Sequence, residues 1–331
     1  MENNILEVKN LKMHYVSKYE TVKAINDISF SVKKGETFGL VGESGCGKSS
    51  VCKTLLQLLP PNAKFMGGSI KYKGKELIGL NNKELQKIRG REISMSFQEL
   101  MTALNPVTKV KEQIYEQFIG LKMTKQEKYA KAVNLLKLVG IPSPEQRLEE
   151  YVHQFSGGMR QRIMIAIALA AQPSMLLADE PTTALDVTIQ DQIIKLINSL
   201  KETLGMSIIL VTHDLGVVSQ MCDSIAVMYA GSIVETGDTL TIFSKPRHPY
   251  TEGLIRSMPK DDGSKDRLES IEGAPPNLNN LPKGCPFAER CKYATEICIN
   301  QMPPLKEVGE NHHSKCFHTD LLINSKGLIE L

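Results

Sequence analysis

The feature that most constrains this chain is the octapeptide GESGCGKS at residues 42–49, which matches the pattern G-x-x-x-x-G-K-S. It follows an apolar segment, Thr37–Val41, that predicts a buried strand, and it opens a segment, SSVCKTLLQLL, that predicts a helix. Glycines let the backbone of such a loop curve until successive N–H groups point inward at the helix N-terminus. The order of strand, glycine-rich loop and helix therefore predicts a cradle for a polyphosphate. We call residues 42–49 the phosphate loop.

The residues of the phosphate loop have distinct expected roles. The Lys48 ammonium should reach the β and γ phosphates, and the Ser49 hydroxyl should bind Mg²⁺. A GTP-binding protein would need an Asn-Lys-x-Asp sequence to read the base, but Asn82-Lys83 is not followed by that aspartate. ATP is therefore the expected nucleotide. The other residues expected to surround its phosphates are Gly42, Glu43, Ser44, Gly45, Cys46, Gly47 and Ser50.

An acidic pair follows a second apolar strand, at the end of the sequence SMLLADE. This strand delivers Asp179 and Glu180 to its carboxyl end, where the ligands of an open α/β sheet collect. Asp179 is expected to hold Mg²⁺ through water. Glu180 can face the attacking water as a general base, a role that typically contributes about 10²–10⁴-fold in rate.

The charge and hydropathy of the sequence limit which partners and which cellular location we expect. The formal charge of +3 over 331 residues is small and spread along the chain, so it favours neither nucleic acid nor an anionic membrane as a partner. The longest apolar run, Ile163–Ala171, is far shorter than the roughly 18 residues of a membrane span. The N-terminus lacks a basic segment followed by an apolar one, so we expect no secretory signal and a cytoplasmic location. The seven cysteines are then expected to be thiols or metal ligands.

The pattern along the chain predicts an α/β fold. Alternating residues from Ile5 to Val32 predict antiparallel strands, and helical periodicity from about 81 to 165 predicts an inserted helical subdomain. The apolar segments 175–179 and 207–212 alternate with helices, as in a parallel sheet. We therefore expect residues 1–245 to combine a parallel core with an antiparallel β subdomain and the helical subdomain. Residues 246–331 are rich in proline, glycine and cysteine, and we call them the C-terminal extension.

A second possible anion site is Ser156-Gly157-Gly158 in HQFSGGMRQR, directly before a helical run. Here the sequence resembles the ABC ATPases, whose signature is Leu-Ser-Gly-Gly-Gln, with Phe155 and Met159 at the two flanking positions. The resemblance runs from about residue 5 to 245. It implies a P-loop NTPase fold with a RecA-like core. It also implies that each ATP lies between the phosphate loop of one subunit and the Ser-Gly-Gly motif of another.

Other ABC ATPase motifs can be matched one by one. Gln98 in SFQELMTALNP corresponds to the Q-loop glutamine, which contacts Mg²⁺ and water and couples the site to the membrane subunit; here QEL replaces the commoner Gln-Asp-Pro. Asp186 in TTALD matches the D-loop at the dimer interface, and His213 in LVTHD matches the switch histidine near the γ-phosphate. Tyr15 fits the aromatic residue that stacks on adenine, with Tyr19 as the alternative.

The C-terminal extension resembles that of the ATPases serving dipeptide and oligopeptide importers, through RHPYTEGLIRSMP at 247–259 and EGAPPNLNNLPKGCPFAERC at 272–291. This group also includes nickel and sugar relatives, so import of nickel or another small solute is the alternative. The resemblance implies a second ATPase subunit, identical or homologous, two integral-membrane permease subunits and an extracytoplasmic solute-binding protein. It places the chain peripherally on the cytoplasmic face of the membrane, with no nucleic-acid partner.

Four cysteines in the extension form the pattern C-x5-C-x6-C-x17-C: Cys285, Cys291, Cys298 and Cys316. Four thiolates in a small segment suggest a metal site, because such a segment gains stability from one. The spacing misses both the tight pairs of zinc knuckles and the ferredoxin patterns. The resemblance implies a [4Fe–4S] cluster, which some peptide-importer ATPases carry on this spacing, while zinc and free thiols stay open. No direct chemical link between such a cluster and the phosphates is expected.

The sequence argues against two functions other than transport. Soluble ABC ATPases of translation or DNA repair usually carry two cassettes in one chain or a long coiled-coil insertion, and this sequence has neither. A regulatory module gated by an Fe–S cluster would not need hydrolysis. The presence of Lys48, Glu180 and His213 argues against that module.

Overall fold

The structure is a computed structural model that describes residues 4–96, 103–183, 185–258 and 270–322. The strands in these ranges are β1 (Asn4–Val16), β2 (Thr21–Lys33), β3 (Thr37–Val41), β4 (Ala63–Tyr72), β5 (Lys75–Glu76), β6 (Ile93–Ser96), β7 (Met175–Asp179), β8 (Ser207–Thr212), β9 (Ser224–Tyr229), β10 (Ser232–Asp238), β11 (Lys306–Gly309) and β12 (His312–Ser314). The α-helices are α1 (Lys48–Leu55), α2 (Asn82–Ile88), α3 (Val110–Glu116), α4 (Lys125–Leu138), α5 (Pro144–Arg147), α6 (Gly157–Leu169), α7 (Val187–Leu204), α8 (Leu215–Met221), α9 (Thr239–Ser244), α10 (Pro249–Arg256) and α11 (Glu296–Asn300).

The first of two compact units comprises Met1–Gly79 and Leu210–Leu331. One of its sheets is antiparallel, in the order β2-β1-β4-β5, which confirms the antiparallel strands expected between Ile5 and Val32. A second sheet runs β11-β12-β10-β9-β3-β8 in this unit, with β3 parallel to β9 and β10 antiparallel to both β9 and β12. All five residues of β3 are buried, as expected for a strand covered on both faces.

The second compact unit is Leu80–Ile209. Here β8 is followed in the sheet by β7 and β6, and β6 and β7 are parallel. Helices α2 to α6 confirm the helical periodicity expected in this region. Helix α4 starts with a capping box, in which Thr124 accepts from the N–H of Glu127 and the Glu127 carboxylate accepts from the N–H of Thr124. Beyond its end the chain turns at Gly140, which has φ +73°.

A buried carboxylate ties the C-terminal extension to the rest of the first unit. Glu235 on β10 is 0% exposed and accepts hydrogen bonds from the N–H groups of Arg247 and His248, at 2.6 and 3.0 Å. The His312 ring on β12 lies 2.7 Å from the same carboxylate, measured from Nε2. The chain before α10 and the β12 strand are therefore held by one buried acidic group, since a buried charge needs such partners.

A strand of the C-terminal extension pairs with a strand that lies before residue 246. Because β12 pairs with β10, the described residues 270–322 belong to the same unit as residues 4–79. Among the described residues, none of the helices has the length and apolar character that a membrane crossing requires.

Candidate phosphate-binding site

The phosphate loop joins β3 to α1 in the first unit. Gly42 has φ +151° and Gly47 has φ +109°, conformations that residues with a Cβ rarely adopt. A Cβ on Gly42 would lie 2.2 Å from the carbonyl oxygen of Met228, and one on Gly47 would lie 2.3 Å from that of Ala24. The loop therefore packs directly on two neighbouring backbone segments, which only glycine permits.

The Lys48 side chain turns back over the phosphate loop. Lys48 is 5% exposed, and its Nζ donates to the carbonyl oxygens of Gly42 and Glu43 at 2.7 and 2.9 Å. Both acceptors are neutral, so they hold the ammonium without cancelling its charge. A cation enclosed by a loop at a helix N-terminus is suited to an anionic ligand.

The remaining residues of the loop lie at its tip and at the start of α1. Ser44 and Gly45 are exposed, Cys46 is buried, and Ser49 is the second residue of α1. The Ser50 hydroxyl lies 3.3 Å from the Tyr15 hydroxyl, whereas Tyr19 is 90% exposed. Tyr15 is thus the aromatic candidate that lies beside α1.

The predicted acidic pair lies at the end of β7, in the second unit. Asp179 is the last residue of the strand and is 3% exposed. Glu180 follows with φ +48°, a left-handed conformation that is unusual for a residue other than glycine. Its carboxylate accepts a hydrogen bond from the Thr183 hydroxyl at 2.9 Å. Backbone strain of this kind clusters at functional sites, because the surrounding fold must hold it in place.

The Ser-Gly-Gly motif opens helix α6. Ser156 is the N-cap, and its hydroxyl accepts from the N–H three residues further on, at 3.4 Å. Gly157 begins the helix and is exposed. A Cβ on Gly158 would lie 2.7 Å from Cγ2 of Ile189 on α7, so this glycine lets the two helices approach. Asp186 is exposed and caps α7, since its carboxylate accepts from the N–H of Ile189 at 2.9 Å.

Two predicted residues complete the set. His213 is exposed and lies between β8 and α8, directly before Asp214, which caps α8. Gln98 lies outside the described residues. The phosphate loop, Tyr15 and His213 belong to the first unit. The residues in the second unit are Ser156, Gly157, Gly158, Asp179, Glu180 and Asp186.

The four cysteines of the extension line one small apolar cavity, which we call the cysteine cavity: Cys285, Cys291, Cys298 and Cys316. Burial raises the pKa of Cys285 to about 11 and that of Cys316 to about 12, and the charge on neighbouring thiolates adds to both shifts. Burial also raises the pKa of Cys291. These three thiols are therefore protonated at neutral pH, and metal binding would have to displace their protons.

The histidines near these thiols differ in position. His318 lines the cysteine cavity, and its Nε2 lies 2.8 Å from the Thr295 hydroxyl. His312 faces Glu235 instead, and His313 lies on β12. In the part of the chain that the structure describes, no group of three or more His, Cys, Asp or Glu side chains is arranged to hold a metal ion.

The structure also joins the cysteine segment to the phosphate loop, through contacts that the sequence analysis missed. Arg290, which precedes Cys291, donates to both carboxylate oxygens of Glu43, at 2.7 and 2.9 Å. The Tyr250 hydroxyl on α10 accepts from the N–H of Glu43 at 2.8 Å. Arg290 and Glu43 are 247 positions apart, so no local sequence pattern indicates that they meet.

Comparisons with known proteins identify the family. The family model described as ABC transporter matches residues 25–183, and the one described as oligopeptide/dipeptide transporter, C-terminal region, matches residues 234–298. An oligopeptide transport ATP-binding protein of Bacillus subtilis is 50% identical, over 94% of this chain and 88% of the relative. A dipeptide transport ATP-binding protein of Lactococcus lactis is 49% identical, over 96% of this chain and 92% of the relative.

A solved structure shows the same fold. It is the dimer of an ATP-binding cassette in a post-hydrolysis state with ADP and Pi, 28% identical, covering 71% of this chain and 98% of that one, with a TM-score of 0.64. The phosphate loop and these matches define the chain as an ATP-binding subunit of an ABC transporter, a class of ATPases coupled to transport. Within that class it belongs to the family of oligopeptide and dipeptide transport ATP-binding proteins.

The loop geometry predicts that two alanine substitutions will differ sharply. Gly47→Ala places a Cβ against a backbone carbonyl, so we expect the free energy of unfolding to fall by roughly 2 kcal/mol or more and nucleotide affinity to fall with it. Gly45→Ala is the matched control, because its φ is also positive, at +80°, but a Cβ there meets nothing within 4 Å. Gly45→Ala should lower the free energy of unfolding by about 1 kcal/mol. Urea denaturation measures the stability of each variant, and nucleotide titration measures its affinity. Equal losses in Gly47→Ala and Gly45→Ala would contradict the packing argument.

Proposed function

We propose that this subunit hydrolyses Mg·ATP to drive the import of dipeptides or oligopeptides. The observation that carries the proposal is the phosphate loop itself, a glycine-built cradle that encloses the Lys48 cation. Relatives named for oligopeptide and dipeptide transport match almost the whole chain. The match of residues 234–298 to the C-terminal region of such transporters favours peptides over nickel or another small solute.

ATP would be held mainly by the phosphate loop and the start of α1. On binding, the Lys48 ammonium would exchange the carbonyl oxygens of Gly42 and Glu43 for the β and γ phosphates. Tyr15 would stack on the adenine, a position supported by its contact with Ser50. The Mg²⁺ ligands would be Ser49, Asp179 and Gln98, and the ion would neutralise the charge that develops on the phosphates.

Hydrolysis would depend on Glu180 as the general base for the attacking water. Its left-handed backbone and its hydrogen bond from Thr183 give the carboxylate a defined position at the end of β7. His213 would contact the γ-phosphate and orient the water. Lys48 would stabilise the negative charge of the transition state.

The complete site would form between two subunits, identical or homologous. Ser156, Gly157 and Gly158 of one subunit would face the ATP on the phosphate loop of the other, with Asp186 near the interface. The related cassette solved as a dimer with ADP and Pi supports this arrangement. ATP binding would shift an open pair toward a closed one, and hydrolysis with product release would reset it.

The closing pair would act on two integral-membrane permease subunits, on the cytoplasmic face of the membrane. An extracytoplasmic solute-binding protein would deliver the peptide to them. The names of the relatives support this assignment, because both are described as the ATP-binding proteins of transport systems. The Gln98 segment would couple the nucleotide site to the permeases.

We propose that the cysteine cavity takes up a [4Fe–4S] cluster with a structural role. The four thiols would have to rearrange to bind it, because in the described residues they are not positioned as a metal-binding group. Four thiolates are the full ligand set of such a cluster, and all four cysteines line this one cavity. The cluster would cross-link the extension from Cys285 to Cys316. Zinc is the alternative occupant.

Replacing Glu180 with glutamine tests the proposed mechanism. Glu180→Gln should keep ATP affinity, lower turnover by at least about 10²-fold and accumulate an ATP-bound dimer, because only the proton acceptor is lost. In vesicles that contain the permeases, it should also abolish ATP-driven uptake of labelled peptide. Glu202→Gln, an exposed change on α7, is the control and should leave both activities intact. Hydrolysis by Glu180→Gln at the parent rate would show that Glu180 is not the base.

Metal analysis tests the occupant of the cysteine cavity. Protein purified without oxygen should be brown and contain about four irons and four sulfides per chain. Cys291→Ser should lose the colour and the iron, whereas Cys222→Ser, which changes a buried cysteine outside the cavity, should keep both. If the protein instead contains one zinc per chain and no acid-labile sulfide, the cluster proposal is wrong and the cavity is a zinc site.

A further inference from the structure

Glu43, the second residue of the phosphate loop, is held through all three of its polar groups. Its carbonyl oxygen accepts from Lys48 at 2.9 Å, and its N–H donates to the Tyr250 hydroxyl at 2.8 Å. Its carboxylate accepts two parallel hydrogen bonds from Arg290, at 2.7 and 2.9 Å. Of these partners, Tyr250 and Arg290 belong to the C-terminal extension, within the matched residues 234–298.

Arg290 is fixed on every side of its guanidinium group. Its side chain is 5% exposed, and its Nε donates to the carbonyl oxygen of Glu272 at 2.9 Å. Nη1 also donates to the Tyr229 hydroxyl at 3.2 Å, and the group lies over the Tyr229 and Phe287 rings, at 5.8 and 5.9 Å. A planar guanidinium held in this way presents a rigid two-point clamp to a carboxylate.

Tyr250 is equally well fixed. It is 0% exposed and packs against the rings of Tyr229 and Phe287, at centroid distances of 4.6 and 5.4 Å. Burial raises the pKa of its hydroxyl, so the group is protonated at neutral pH. The neutral hydroxyl can accept the hydrogen bond from the N–H of Glu43. The backbone and the side chain of Glu43 are therefore both held by rigid groups.

Of the contacts that hold Glu43, nucleotide binding would change only the one with Lys48. When Lys48 moves to the phosphates, the carbonyl oxygen of Glu43 keeps only the N–H of Cys46 at 3.4 Å, while Arg290 and Tyr250 still hold the rest of the residue. The loop then keeps its shape without Lys48, which reduces the ordering that the ligand must impose. Arg290 also balances the Glu43 carboxylate, which would otherwise place an unpaired negative charge beside a polyphosphate.

We propose that Arg290 is a positioning residue for the nucleotide: it fixes Glu43 in the phosphate loop and cancels its charge. The C-terminal extension is then a part of the ATP site. The inference deepens the proposed function, because it assumes that the loop binds Mg·ATP.

Titration of the full-length chain with a fluorescent Mg·ATP analogue tests this role. Arg290→Gln should raise the Kd about ten-fold, because Glu43 loses its clamp and keeps its charge. Arg290→Lys should raise it less, since an ammonium restores the charge but not the two-point geometry. Lys292→Gln is the control: it removes a neighbouring, largely exposed cation on the other side of Cys291, and the Kd should not change.

A second substitution separates positioning from folding. Adding Glu43→Gln to Arg290→Gln should bring the Kd back toward the parent value, because the unpaired carboxylate is gone. A purely structural Arg290 would lower the melting temperature and leave the Kd unchanged, and the double variant would show no recovery. Either of these results overturns the inference.

Two further outcomes keep the test decisive. If Arg290→Gln does not fold, Glu43→Gln alone should still raise the Kd about three-fold, measured well below its melting temperature, and an unchanged Kd would overturn the inference. If Arg290→Gln and Glu43→Gln bind Mg·ATP with the same Kd as the parent protein, the positioning role is wrong but the proposed function stands. A parent that does not bind Mg·ATP contradicts the proposed function itself.

Discussion

Gly42 and Gly47 bring the phosphate loop against the carbonyl oxygens of Met228 and Ala24, at distances that leave no room for a Cβ. This contact fixes where the loop leaves β3 and where it enters α1. Because the loop is supported by backbone on both sides, the Lys48 side chain can turn back into it. The predicted contacts to phosphate all depend on this packing, since they start from the positions of these backbone atoms.

The C-terminal extension is held to the rest of the first unit by buried polar and aromatic contacts. Glu235 holds the chain before α10 and the His312 ring of β12, while Phe287 packs on the rings of Tyr229 and Tyr250. A segment held in this way can carry a precisely placed side chain such as Arg290. The same packing surrounds the cysteine cavity, so an occupant of that cavity would stabilise the segment that contacts the phosphate loop.

The sequence predicted the features that depend on neighbouring residues. The phosphate loop, the buried strand β3 and the helix that follows Ser156-Gly157-Gly158 were expected from local spacing, and the structure contains all three. The pairing of β12 with β10 and the contact of Arg290 with Glu43 were not predictable in this way. Both join residues that are far apart in the chain, and such contacts are set by tertiary packing.

A structure of the Glu180→Gln protein with bound Mg·ATP would test the central claim most directly, namely that the extension holds the phosphate loop in its binding conformation. The account predicts that Lys48 Nζ contacts the phosphates and no longer donates to the carbonyl oxygens of Gly42 and Glu43. It also predicts that Arg290 still donates to both carboxylate oxygens of Glu43 and that Tyr250 still accepts from its N–H. A nucleotide-bound loop in which Glu43 has separated from both Arg290 and Tyr250 would contradict it.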